Sequence, residues 1–197
     1  MKRSNLITSL VVVAILGFVA IATWRFSPVS PQTPAASDIG GPFQLVNQNG
    51  VRVDQRVLNG KWSAVYFGYT FCPDVCPTTL SALGGAQDDL GAKAKAFQVV
   101  FVTVDPQRDT PAQLRAYLSS PSFPKGMIGL TGTPAQIRSV AAAYRVYYRP
   151  ESGGRNYIVD HSSSIYLMDP KGRFVKPVDF GAPRSMADQI LATMSAR

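Results

Sequence analysis

Ala64-Val65-Tyr66-Phe67-Gly68-Tyr69-Thr70-Phe71-Cys72-Pro73-Asp74-Val75-Cys76-Pro77 runs from four consecutive apolar residues into two cysteines, each followed by a proline. Ala64 to Phe67 is the unbroken apolar run that a central strand buried on both faces requires. Thr78 to Leu90 predicts a helix immediately afterwards. A thiol placed between a buried strand and a helix start faces backbone N–H groups and the positive helix end, and both favour thiolate. Two such thiols four residues apart converge if the chain makes a helical turn. Pro77 disfavours helical geometry at Cys76, which leaves a loop that curls the sulfurs together as the other option.

Outward from this stretch the pattern alternates strand and helix. Phe43–Val46 and Val51–Val53 flank Asn47-Gln48-Asn49-Gly50 and predict an N-terminal hairpin. Phe97–Val104 predicts a second central strand. Thr110-Pro111 and Thr133-Pro134 each supply an N-cap and a proline at the first helical position, opening helices to about Leu118 and Tyr144. Ser164–Met168 reads as a strand, Asp169-Pro170-Lys171-Gly172 as a turn, Arg173–Val175 as its partner and Ser185–Met194 as a closing amphipathic helix. The order is α/β and fits a thioredoxin-like layout with an N-terminal β-hairpin extension.

The chain has 197 residues, 46% hydrophobic and 16% charged, with 15 prolines, so neither a wholly disordered chain nor one long coiled coil fits. The apolar residues are unevenly spread. After Met1-Lys2-Arg3, Leu6 to Trp24 carries no charge, and at a rise of about 1.5 Å per residue it spans roughly 28 Å, close to a bilayer core of about 30 Å. Lys2 and Arg3 predict a cytoplasmic start, which exports everything beyond Trp24. Ala20-Ile21-Ala22 offers a competing reading as the cleavage site of a signal peptide; either way the rest is exported. No cysteine lies nearby, which rules out a lipoprotein anchor. Residues 25–42, with Pro28, Pro31 and Pro34, read as an extended tether. The expected organisation is therefore a basic start (1–5), a transmembrane anchor (6–24), the tether (25–42) and one domain (43–197).

Two cysteines and one histidine, His161, bound the metal chemistry. Soft thiolates select Cu(I), zinc or iron–sulfur clusters, and two cysteines are too few for a four-cysteine cluster. Cys72, Cys76 and His161 number three, one short of a structural zinc site, and Cu(I) tolerates the lower count. Zinc stays open if Asp74, Asp160 or water completes a site. A lone histidine is by default a surface or satisfied core residue, although its imidazole suits copper and zinc. A purely stabilising disulfide is weakly motivated, because so short a loop removes little unfolded-state entropy.

The segments Gly68–Leu80 (GYTFCPDVCPTTL), Val102–Pro111 (VTVDPQRDTP) and Tyr157–Pro170 (YIVDHSSSIYLMDP) resemble the Sco/SenC family. That resemblance, which covers Phe43 to Arg197, implies a membrane-tethered copper protein of thioredoxin fold associated with assembly of the binuclear copper centre of cytochrome c oxidase. It implies Cys72, Cys76 and His161 as copper ligands, holding Cu(I) and also Cu(II). Asp160 is a candidate to orient His161, and Asp74 would add negative charge beside the metal. Asp105 and Arg108 lie at a strand end where α/β sites gather, with a local ion pair in a turn as the plainer reading.

Met127, Met168, Met186 and Met194 read as core rather than a methionine-rich copper motif. Tyr144–Arg149 with Arg155 reads as a patch for an acidic protein partner or as a solvated face. Two functional classes follow. The first is a metallochaperone that passes copper to the copper-bearing subunit of the oxidase. The second is a thiol–disulfide reductase in which Cys72 attacks and Cys76 resolves, with a thiol peroxidase behind it. The three intervening residues, where an ordinary thioredoxin has two, count against the second. Further partners would be a thiol reductant or an upstream copper donor. The short basic start without a transit peptide points to a bacterial inner membrane, with a single pass and the domain in the periplasm. An exported domain does not meet nucleic acid.

Overall fold

A computed structural model describes residues 39–151, 154 and 157–196. The expected anchor over 6–24, the Ala20–Ala22 site, most of the tether and Arg155 lie outside the described residues. Among the described residues no helix is long and apolar enough to cross a membrane.

Nine strands are described: β1 (Gln44–Asn47), β2 (Arg52–Asp54), β3 (Trp62–Gly68), β4 (Phe97–Thr103), β5 (Ile128–Thr131), β6 (Tyr148–Pro150), β7 (Val159–His161), β8 (Ile165–Met168) and β9 (Phe174–Val178). The α-helices are α1 (Val75–Asp89), α2 (Pro111–Leu118), α3 (Pro134–Ala143) and α4 (Pro183–Ser195). Every residue of β3 and β4 is buried, as their apolar runs require of strands covered on both faces. They pair in parallel, Tyr66 opposite Phe101 and Gly68 opposite Thr103. β5 extends the parallel set beyond β4, and β8 and β9 add antiparallel strands on the other side. The N-terminal hairpin β1–β2 joins through β1 antiparallel to β5, so the sheet runs β2-β1-β5-β4-β3-β8-β9. The packed fold also takes in Ile39, half-buried against the core, and Gly40, whose N–H donates to Ala143 O at 2.9 Å.

Tyr66, Gly68 and Phe101 present one face of the sheet, which α1 and α2 cover, and α4 packs against α1. On the other face Phe67 meets the rings of Tyr144 and Tyr166. Met127, Met168 and Met186 are buried and Met194 half-buried against this core. Both Thr-Pro signatures form caps: Thr110 Oγ1 accepts from the Gln113 N–H at 3.2 Å, and Thr133 makes a reciprocal capping box with Gln136.

Two local differences from the sequence reading bear on the site. α1 starts at Val75, three residues earlier than the pattern indicated, and places Cys76 and Pro77 in its first turn. The first N–H groups of a helix have no intrahelical acceptor, so Pro77 removes no bond there. His161 is the last residue of a strand of its own. β7 pairs with β6, Tyr148 opposite His161, in a two-stranded sheet separate from the main one. Part of the stretch read as a surface patch thus builds the mount for the histidine.

Candidate metal centre

β3 delivers the chain to Gly68, and a turn closed by the Cys72 N–H donating to Tyr69 O at 3.2 Å leads into α1. The Cys76 N–H, in the first turn of that helix, donates to Cys72 Sγ at 3.4 Å. Cys76 Sγ lies 3.5 Å from His161 Nε2 and 3.8 Å from the Tyr66 hydroxyl. Cys72 Sγ, Cys76 Sγ and one His161 ring nitrogen lie within 4.8 Å of one another. Both cysteines are free thiols and buried, and His161 is half-buried at the open side.

The imidazole is oriented by its neighbours. His161 Nδ1 lies 3.0 Å from the Ser162 carbonyl oxygen, which can only accept, so Nδ1 donates there and Nε2 faces the cysteines. The Tyr69 ring meets the imidazole edge-on at 5.8 Å. A hydrogen bond between the thiols, together with the Asp74 and Cys76 amides, pulls the Cys72 pKa down from 9.0 to about 5 against the opposing effect of burial. The same neighbouring sulfur, joined by burial, drives Cys76 strongly upward. The reduced pair therefore holds one thiolate at Cys72 and keeps one proton at Cys76.

The remaining candidates are placed differently. Asp74 is exposed and accepts from Thr78 Oγ1 at 3.3 Å. Asp160 is exposed, and as the residue between Val159 and His161 on β7 its side chain leaves the strand on the face opposite the imidazole. The task of orienting His161 falls to the Ser162 carbonyl instead. Asp105 is buried, away from the sulfurs, and its carboxylate is bonded by Arg108 Nε and by the Tyr157 hydroxyl. No Asp or Glu of the described residues joins the three donors, so none of them completes a four-ligand zinc site.

Sequence reasoning missed three supporting residues. A Cβ on Gly68 would stand 2.7 Å from Cys76 Sγ, so only glycine leaves room for that sulfur. Tyr66, two residues earlier on the same strand face, reaches the same sulfur. Asp109, fully buried, accepts from the Thr70 N–H at 3.0 Å, Thr70 Oγ1 at 2.7 Å and Thr103 Oγ1 at 2.6 Å, which pins the cysteine turn; burial raises its pKa. The signal for the first two was the period of two along Ala64–Gly68, and for Asp109 its place in VTVDPQRDTP.

Two sulfurs and one imidazole nitrogen, close together and half-shielded, suit a soft ion of low coordination number. The comparisons with known proteins agree with the fold and with copper as the ion. Protein SenC of Rhodobacter capsulatus is 41% identical over 198 residues, 96% of this chain and 89% of that protein. The mitochondrial SCO1 homolog 1 of Arabidopsis thaliana is 47% identical over 140 residues, 70% of this chain but only 41% of the plant protein. Among solved structures, copper-bound ScoI of Bradyrhizobium japonicum is 44% identical with a TM-score of 0.72, over 78% of this chain and 98% of that one. BsSco, described with a disulfide switch and as a member of the Sco family of cytochrome c oxidase assembly proteins, is 25% identical with a TM-score of 0.63, over 80% and 92%. The SCO1/SenC family model matches residues 31–195, which takes in the cysteine turn, the sheet beneath it and the histidine strand, and on that match the chain belongs to the SCO1/SenC family.

Proposed function

We infer that the protein is a copper metallochaperone that carries Cu(I), with Cu(II) as a second state, on Cys72, Cys76 and His161. Its delivery assists metallation of the binuclear copper centre of cytochrome c oxidase. The observation that carries the reading is the convergence of three soft or borderline donors from positions 72, 76 and 161, with Nε2 facing the sulfurs. One neighbour, described as ScoI with copper bound, supports the cargo, and another, described as a member of the Sco family of cytochrome c oxidase assembly proteins, supports the pathway. In this reading residues 6–24 anchor the chain in a bacterial inner membrane, and the domain works in the periplasm beside the copper-bearing subunit. Copper leaves by ligand exchange: an incoming donor enters at the half-exposed His161 side while the sulfurs still hold.

A second reading rests on the unequal thiols. A Cys72 thiolate beside a Cys76 that keeps its proton is the arrangement of an attacking and a resolving cysteine. As a reductase, Cys72 would attack a partner disulfide, release one partner thiolate, and lose the mixed disulfide to Cys76, leaving a Cys72–Cys76 disulfide and a reduced partner. Oxidation to that disulfide removes both sulfur ligands, so the two activities exclude each other at any instant.

The test is an anaerobic Cu(I) titration of the reduced full chain against a competing chelator, alongside His161→Ala and Cys72→Ser. The chaperone reading expects one equivalent, weakened at least tenfold by each change. Binding unaffected by His161→Ala removes the histidine. Binding no tighter than that of a loose dithiol transfers the assignment to the reductase.

A further inference from the structure

Among the described residues β7 is not paired with any strand of the seven-stranded sheet, yet it must hold His161 within a few ångströms of Cys76. Its position is set partly by burial of Val159, by the Tyr69 hydroxyl on the Val159 backbone, and by two bonds between Tyr147 and Ser162. A separate cluster ties it sideways. The Tyr157 hydroxyl donates to Asp105 Oδ1 at 2.6 Å, and Arg108 Nε donates to Asp105 Oδ2. The Arg108 guanidinium carbon lies 3.7 Å from the centre of the Tyr157 ring and 4.8 Å from that of Phe71. Phe71 precedes Cys72 in the chain, and Tyr157 stands four residues before His161. One guanidinium thus lies between the two halves of the site.

This arrangement is expensive for local packing alone. Arg108 Nη2 is buried with no hydrogen-bond partner among the described residues, and a buried donor left unpaired destabilises the fold. The same network continues behind the site: the Asp105 N–H donates to Thr103 Oγ1, and Thr103 Oγ1 donates to Asp109, which pins Thr70. Tyr157 stays a donor, its pKa pushed up to about 12 by burial and by Asp105.

We propose that Arg108, braced by Asp105, is a positioning residue that latches the His161 strand to the cysteine turn through Tyr157 and so sets the imidazole-to-sulfur separation. The role rests on the chaperone reading for its purpose, though not for its geometry. It absorbs the Asp-Pro…Arg-Asp-Thr-Pro segment, whose acidic and basic residues touch neither sulfur nor imidazole.

Tyr157→Phe removes one hydroxyl and keeps the ring, which makes it the variant of choice; Arg108→Gln removes the cation. In the reduced full chain Tyr157→Phe is expected to weaken Cu(I) about fivefold, the size of one lost hydrogen bond, and Arg108→Gln more. Each loss should vanish when His161→Ala is already present, because the latch acts through the imidazole. In metal-free protein the amides of Val159–Ser162 should exchange hydrogen faster in both variants, with those of β3 and β4 unchanged. Unchanged exchange at Val159–Ser162 overturns the latch, as does a copper loss that persists in the His161→Ala background. If the unmodified protein binds no Cu(I), the chaperone reading falls, and the exchange measurement still decides the latch.

Discussion

Cys72, in the turn before α1, and Cys76, in its first turn, do not titrate alike here. The Cys72 sulfur receives the Cys76 thiol and amide and is held at about 5, whereas Cys76, fully buried beside that negative charge, keeps its proton. The signs follow from each direction. Cys72, lowered from 9.0, contributes stability that is complete above about pH 9 and is lost as pH falls through about 5. Cys76, raised, contributes stability below about pH 9 that is lost at more alkaline pH. The reduced metal-free protein should therefore gain stability from pH 5 to 9 and decline above. Its thiolate absorbance near 240 nm should show one thiolate per chain appearing around pH 5, absent in Cys72→Ser. A chain with no thiolate until pH 8 would contradict the asymmetry. The space around the second sulfur makes a sharper test. Gly68→Ala puts a methyl 2.7 Å from Cys76 Sγ and 2.9 Å from Phe101 Cε2, so the sulfur must move from its place 3.5 Å from His161. Cu(I) binding should weaken at least tenfold, with a stability loss of about 1–3 kcal/mol in denaturant unfolding. Unaltered affinity in a folded Gly68→Ala protein would show that the sulfur position does not matter.

Among the elements, α1 carries Cys76 and must sit at a fixed height above β3, and its glycines show how closely it is held. Gly84, in the helix interior, has the Ser122 carbonyl oxygen 2.3 Å from where a Cβ would be, with Phe123 C at 3.1 Å. Helix propensity alone would favour Gly84→Ala by about 1 kcal/mol. Backbone cannot yield as a side-chain tip can, and overpacking costs about 1–3 kcal/mol, so the substitution should lower the unfolding midpoint. A rise would mean that the 122–124 segment gives way freely. Legibility from sequence divides along similar lines. β3 and β4 were readable because burial on both faces leaves an unbroken apolar run, and α2 and α3 because Thr-Pro fixes both cap and first turn. β5, β6 and β7 were missed: at three or four residues they carry too little periodicity, and tertiary pairing decides them. The turn from α3 toward β6 even uses Arg145 at φ 56, a position where the sequence offers no glycine signal. The cysteines were legible from their place between strand and helix, whereas His161 needed the family resemblance. For the Asp105–Arg108 pair the sequence offers a place at a strand end near a site, with a local ion pair in a turn as the plainer reading. That the pair is buried against Tyr157, 52 residues away in sequence from Asp105, no local pattern could convey.

Over the whole molecule, the sheet gathers what the chain keeps apart: Cys76 and His161 are 85 residues distant, and only the folded state brings them to 3.5 Å. The hairpin β1–β2 continues the same sheet past β5 and pairs that strand's outer side, which an exposed edge would leave open to other chains. Metal binding is thereby linked to folding, but in a restricted way. Cys72 and Cys76 remain four residues apart after unfolding, so the unfolded chain still offers Cu(I) a dithiol, and affinity common to both states stabilises neither. What raises the unfolding temperature is the excess that the fold adds, namely the imidazole and the preset sulfur geometry. The rise in Tm on adding Cu(I) should consequently reach a plateau instead of growing with every further excess of metal. If the folded site binds about tenfold tighter than the unfolded dithiol, the plateau corresponds to about 1.4 kcal/mol, or about 3–6 °C for a domain of this size. His161→Ala should lower that plateau, because the folded and unfolded sites then differ less, and Cys72→Ser should abolish it. Thermal unfolding under anaerobic, buffered Cu(I) measures all three. A plateau equally high in His161→Ala would mean that the distant histidine adds nothing, and that the fold serves the two sulfurs alone.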